Sequence, residues 1–308
     1  MGCSWRGTVV LGLVFGSWVL SSVACGAALL LFVLGWTWKP LALLLVYAAV
    51  GAVYAPRRSP AFHALLVRWM DDGPYFRTQR LVFESGAAVP APGSRALIAS
   101  CPHGILCCGT TVNIGLSPVM LKCEVAMLGA DLAFRLPVFR EILYLTGGAP
   151  ATPANMKRIM ATGQNVCLVV GDFEEIALYQ RGEFHCYLSK RKGFVAYALR
   201  FGYSLFPAFT FGEELTFNSL NVLPWLRMRL AGWKMPGALV WTRRGWMPDP
   251  SVDLVTVVGD PVVLPTIPAP TPEQVDRYHA LYVDAVVRLF NKYKGDFASD
   301  PNAVLYLH

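Results

Sequence analysis

From Val9 to Ala55 the chain carries a single charged side chain, Lys39. Such a run fits the interior of a bilayer. A bilayer's hydrocarbon layer of about 30 Å takes roughly 20 helical residues. The first arm, about Thr8 to Trp36, meets that length. The second, Leu41 to Ala55, is short and needs its flanks or a thinned bilayer. Trp36, Trp38 and Lys39 mark a bend at an interface. The expectation is a transmembrane helical hairpin over residues 1–58 that tethers a body formed by residues 59–308.

Arg6 precedes the hairpin and Arg57 with Arg58 follows it, so the positive-inside rule puts both ends in the cytosol. A cleaved signal peptide fits poorly, because the apolar run continues past Ser21 to Cys25. A myristoylation signal wants Ser or Thr where Arg6 stands. Residues 1–60 hold four cations and no acid, out of a net charge of +7. No dense Lys/Arg run occurs, so the excess suits a membrane surface and gives no case for nucleic acid. The eight cysteines form no C-x-x-C pair and no zinc spacing, which predicts no metal site and a reducing compartment. No Walker A, H-E-x-x-H or G-x-G-x-x-G sequence is present.

Beyond residue 59 the pattern alternates. Apolar runs at 96–100, 125–128, 166–170, 204–211 and 254–258 read as strands, several without a polar face, as in a buried parallel sheet. Between them lie helical patterns at 152–162, from Arg191 to Phe201, and from the capping box Thr271-Pro272-Glu273-Gln274 to about Tyr293. A further helix, Pro60 to Met70, could lie on the membrane or pack on the core. His279 falls within the last helix and reads as structural. The fold class is α/β, a mostly parallel sheet with helices on both faces.

Polar residues gather just after these strands: His103, Glu174, Glu175, Glu213 and Glu214. Ligands of open α/β sheets bind outside the carboxyl ends of strands. His103 stands between Pro102 and Gly104, directly after the run Ala96 to Ala99, which marks this turn as the candidate centre. Read alone, the turn favours the plainer reading, a bend that happens to hold a histidine.

Several blocks together resemble the type-2 diacylglycerol acyltransferase family, which includes monoacylglycerol acyltransferases and wax-ester synthases. They are Pro102-His103-Gly104; Phe134 to Glu141; Val170-Gly171-Asp172-Phe173-Glu174-Glu175; Arg191-Lys192-Gly193-Phe194-Val195; Phe211-Gly212-Glu213; Val258-Gly259-Asp260-Pro261; and the Tyr278 to Tyr282 and Leu289 to Lys294 segments. The resemblance covers roughly residues 60–308. It departs at Cys101, where the family usually has a histidine. Cys107 stands where the wider glycerolipid acyltransferase group has an aspartate, which the family resembled generally lacks too.

The resemblance implies a glycerolipid acyltransferase-like fold. It also implies transfer of an acyl group from acyl-CoA, a substrate with no further cofactor, to diacylglycerol. The location implied is the endoplasmic reticulum membrane with the catalytic body facing the cytosol, or the lipid droplet surface, and a homo-oligomer is open. An alcohol needs a base before it can attack a thioester, and a histidine near its ordinary pKa suits that task. His103 is the expected base and Glu175 the expected orienting group. Pro102 and Gly104 would shape the substrate site, with backbone amides near Gly104 on the developing oxyanion. Arg191, Lys192 and Gly193, at a helix start, would bind CoA phosphates, with Arg135 and Arg140 as weaker candidates; a solvated basic helix start is the alternative. Three rivals remain: a monoacylglycerol acyltransferase or wax-ester synthase of the same family, acting on monoacylglycerol or a long-chain alcohol; Cys101 as a nucleophile activated by His103, as in a thioesterase; and a catalytically inactive membrane lipid-binding protein.

Overall fold

The structure, a computed structural model, describes residues 3–84, 89–235 and 237–308. The apolar N-terminal run forms helix α1 (Trp5–Val33), a bend, and helix α2 (Lys39–Val53), with Pro40 in the first turn of α2. At 1.5 Å per residue α1 is about 44 Å long and α2 about 22 Å. Among the described residues α1 alone is long and apolar enough to cross a membrane. The expected two-span hairpin therefore reduces to one sufficient helix and a shorter one packed beside it. The first half of α1 is core: Val10, Leu11, Val14 and Phe15 pack with Leu66, Val67 and Met70 of helix α3 (Pro60–Asp72). Ser59 caps α3, and its Leu66/Met70 face is buried, so α3 is a core helix and not a membrane-surface one.

The body is built on a seven-stranded sheet. Its members in chain order are β1 (Thr78–Phe83), β2 (Ala96–Cys101), β3 (Ala126–Gly129), β4 (Ala149–Pro150) and β5 (Val166–Val169). Strand β6 (Phe184–Cys186) belongs to a separate ribbon; β7 (Ser204–Phe211) returns to the sheet. Strands β8 (Asn218–Leu220) and β9 (Leu239–Trp241) pair with each other, β10 (Asp253–Val258) rejoins the sheet, and β11 (Leu305–Leu307) pairs with β6. The spatial order is β1-β10-β7-β2-β5-β3-β4. Within this seven-stranded sheet every pairing is parallel except β10 against β7. This is the mixed α/β, mostly parallel architecture the alternating pattern predicts.

Strand β2 lies at the centre, buried along its whole length. Its residues alternate between two cores. Leu97, Ala99 and Cys101 face helices α6 (Pro153–Ala161), α8 (Gly193–Phe201) and α10 (Pro272–Phe297). Ala96 and Ile98 face the other way, toward a π-helical turn at Thr110–Gly115 and the short helix α4 (Pro118–Lys122). The capping box at Thr271 and Gln274 forms as its sequence indicates. Helices α5 (Phe139–Leu145), α7 (Asp172–Leu178) and α9 (Pro224–Gly232) complete the fold.

Because β5, β2 and β7 are adjacent and parallel, their carboxyl ends open at the same edge of the sheet. That edge receives the His103 turn from β2, Gly171 to Glu175 from β5, and Gly212 to Glu214 from β7.

Candidate active site

At Gly104 the chain turns with φ +58, and a Cβ there would lie 2.4 Å from Cγ of Glu213. Only glycine accommodates both the left-handed backbone and the carboxylate pressed against it. The preceding His103 is partly buried. Its Nδ1 lies 3.1 Å from the Gly104 carbonyl. A carbonyl can only accept, so Nδ1 carries the proton of the neutral ring and Nε2 keeps the lone pair. Burial pushes the imidazole below its usual pKa, against the Gly104 carbonyl and Asp172, which favour the proton.

Glu175, in the first turn of α7, does reach this turn, but not the ring. Its carboxylate accepts the backbone amide of His103 and, at 2.7 Å, that of Tyr187. The expected contact with the imidazole is corrected accordingly: Glu175 fixes the backbone, and the ring is oriented by the Gly104 carbonyl. The His103 amide is thereby taken, while the Gly104 amide has no acceptor among the described residues. Glu213 is also fully buried and accepts the Cys108 amide at 3.0 Å and the Gly109 amide at 2.7 Å, holding the return of the same turn. Beside it, Glu214 is 2% exposed, and neither carboxyl oxygen has a partner among the described residues. Burial raises Glu175 and Glu213 to about 7 and Glu214 to about 8. A small cleft runs between Pro102, Gly104, Glu175, Tyr179, His185 and Glu214.

The expected phosphate cations are engaged elsewhere. Arg191 stays near the site, where its guanidinium pairs with Glu174 and lies 3.7 Å from Asp172. Lys192 donates to Asp276 of α10 at 2.7 Å. Gly193 opens α8 behind it. Arg135 is exposed and paired with Asp131 four residues earlier. Arg140, almost fully buried, donates to the Gly51 and Tyr54 carbonyls at 3.1 and 2.7 Å and so closes the end of α2. Arg135 and Arg140 are therefore not brought to His103. Cys101 is fully buried in the β2 core, its thiol 3.7 Å from the Ala208 carbonyl.

Two further residues of this cluster carry no assignment from the sequence. Asp172 lies in the left-handed region at φ +55, where it meets Lys234 at 2.8 Å as well as Arg191. Glu214 was legible only as one of several polar residues after a strand. The signal for both was their position at strand ends, and the burial that distinguishes them comes from the sheet order.

A sheet whose central parallel strands converge on a buried histidine turn defines an α/β protein with its site at a strand-end crevice. The sequence profile of the family described as diacylglycerol acyltransferase matches residues 91–308. This chain belongs to that family. Diacylglycerol O-acyltransferase 2 of Xenopus tropicalis is 33% identical over 215 residues, 63% of this chain and 59% of that protein. Human 2-acylglycerol O-acyltransferase 3 is 34% identical over 227 residues, 66% of this chain and 65% of that protein. Human diacylglycerol O-acyltransferase 2 is 29% identical over 224 residues, 66% of this chain and 58% of that protein. The chain spans about three fifths of the length of the first such relatives. Among solved structures, the 1-acyl-sn-glycerophosphate acyltransferase of Thermotoga maritima aligns over 96% of this chain and all of that one, with TM-score 0.45 and 12% identity.

Proposed function

We propose that the chain is a membrane-bound, acyl-CoA-dependent O-acyltransferase that esterifies diacylglycerol, with His103 as general base. The observation that carries this is the state of the ring. Burial keeps it neutral near pH 7, and the Gly104 carbonyl occupies Nδ1, which leaves Nε2 free to accept a proton. The acceptor's hydroxyl gives that proton to Nε2 as its oxygen bonds to the thioester carbonyl carbon. The tetrahedral oxyanion has the free Gly104 amide close by. When it collapses, the C–S bond breaks, and the CoA thiolate leaves and takes the proton back. Glu175 and Glu213 act on the backbone, holding the turn from both sides. Arg191 is the remaining candidate for the CoA phosphates, in exchange for Glu174.

The apolar α1 supports placement on a membrane, with the endoplasmic reticulum and the body on the cytosolic side as our reading. A relative named for 2-acylglycerol favours monoacylglycerol as the second acceptor to assay. The test uses the full chain in detergent with labelled acyl-CoA and each acceptor. His103→Ala should lower transfer by roughly 10²–10⁴-fold, whereas Cys101→Ala should retain it. Near-wild-type turnover by His103→Ala rejects the base assignment. Loss of turnover in a folded Cys101→Ala reinstates the thiol nucleophile. Acyl-CoA binding by the wild type without product would mark a lipid-binding protein.

A further inference from the structure

The stretch 218–247 holds four tryptophans, Trp225, Trp233, Trp241 and Trp246, and five cations, Arg227, Arg229, Lys234, Arg243 and Arg244, without one acid. It folds as the ribbon β8–β9 with α9 inserted between the strands. The buried Arg227 ties it to the body by donating to the Tyr179 carbonyl of α7 at 3.0 Å. What faces outward is apolar: Leu223, Trp225, Trp233, Met235, Leu239 and Trp241 are each at least half exposed. Exposed Arg229, Arg243 and Arg244 are interspersed with them, Arg229 lying 5.6 Å over the ring of Trp233. Water-facing surfaces seldom gather bulky side chains of this kind. Tryptophan bodies with cationic companions are what an interface between lipid and water favours.

The patch is continuous with α1. The indole of Trp246 packs on Gly16, where an added Cβ would meet it at 2.8 Å. Beyond that point α1 bares its apolar face, with Leu20, Val23, Leu29, Leu30 and Phe32 at least half exposed. The stretch from Trp18 to Val33 rises about 24 Å, short of a hydrocarbon layer of about 30 Å. A body surface that sinks to the acyl boundary, about 5–10 Å deep, supplies the missing depth. Two such patches facing each other would oppose like charges, which argues against self-association through this face.

We propose that residues 218–247 form a second membrane-contact surface, which enters the headgroup layer of an anionic leaflet beside α1. This surface adjoins the site, because Lys234 pairs with Asp172 at the start of α7. The proposal stands apart from acyl transfer, and its measurement needs no turnover.

The full chain is reconstituted in phosphatidylcholine vesicles containing phosphatidylserine, with and without lipid brominated near the headgroup. Bromine quenches only indoles in contact with it. The wild type is compared with the variant carrying Trp225→Phe, Trp233→Phe and Trp241→Phe. A second variant, carrying Arg229→Glu, Arg243→Glu and Arg244→Glu, removes no indole. Each is first shown by circular dichroism and melting to be folded as the wild type. The proposal expects the quenched amplitude to fall by about a third or more in the tryptophan variant. It expects the charge variant to lose amplitude on anionic vesicles relative to the wild type. An amplitude unchanged in both variants overturns it.

Discussion

Replacing Glu214 by Gln should change how stability depends on pH. The side chain is 2% exposed, neither carboxyl oxygen has a partner among the described residues, and burial, aided by Glu213, raises its pKa from an ordinary 4.5 to about 8. Below the ordinary value both the folded and the unfolded chain hold the proton, and the group makes no difference. Between 4.5 and about 8 the unfolded chain releases the proton and the folded one keeps it. Stability therefore falls as pH rises through that window and is level above it. The full cost is about 5 kcal/mol, an upper figure. Glutamine has nearly the same shape and no titration, so it removes this pH dependence and leaves that of Glu175 and Glu213 in place. A domain of this size gains roughly 2–4 °C in melting temperature per kcal/mol. Allowing for relaxation around the charge, the advantage of Glu214→Gln over the wild type should widen by roughly 5–10 °C between about pH 5 and about pH 8.5. Tryptophan emission followed through a thermal ramp at one scan rate, in one detergent, measures it. A difference between the two proteins that stays constant with pH, or narrows, refutes the reasoning.

Gly104→Ala should lower turnover by more than about tenfold, because the left-handed backbone disfavours a Cβ and Glu213 already fills its place; wild-type kcat with an unchanged melting temperature would contradict this. Arg140→Met should destabilise by about 1–3 kcal/mol, read as a drop in melting temperature, since two carbonyls at the end of α2 lose their buried donor. Lys234→Gln should move the acid limb of kcat/KM to higher pH by a fraction of a unit. Asp172 favours protonation of His103, and the half-exposed Lys234 that offsets its charge would be gone; a limb that stays in place or moves to lower pH counts against the idea.

What could be read in the sequence were the features with local causes. The strands β2, β5, β7 and β10 are near-continuous apolar runs, and such runs must be buried on both faces. Helix α10 announces itself through Thr271, Pro272 and Gln274. Strand β1 has no such signature, because it pairs on one side only, with β10, and keeps Arg80 exposed among half-buried neighbours. Helix α7 carries no start signal, because it begins at Asp172 without a side-chain cap, directly after a strand. At the site, the juxtaposition of His103 and Glu175 was legible, since both follow central strands. Which atoms meet was not, because Glu175 is aimed by α7 and not by β5. The diversion of Lys192 to Asp276 depends on how α8 and α10 pack, a long-range fact with no local trace.

The arrangement around His103 has an electrostatic logic of its own. A carboxylate hydrogen-bonded to the ring would stabilise the imidazolium and raise its pKa. Here the ring's partner is a neutral carbonyl. The nearby carboxyls are committed to backbone amides, as Glu175 and Glu213 are, compensated by cations, as Asp172 is by Lys234 and Arg191, or kept protonated by burial, as Glu214 is. Burial then keeps the ring neutral and ready to accept a proton at physiological pH. Stabilising the imidazolium less costs the reverse proton transfer something. In the proposed reaction that cost is small, because a thiolate, with a thiol pKa near 8.5, leaves with little help from an acid. Transfer to an alcohol from a thioester is thus chemistry that a histidine without a carboxylate partner can serve, and the Gly104 carbonyl is enough to hold its tautomer.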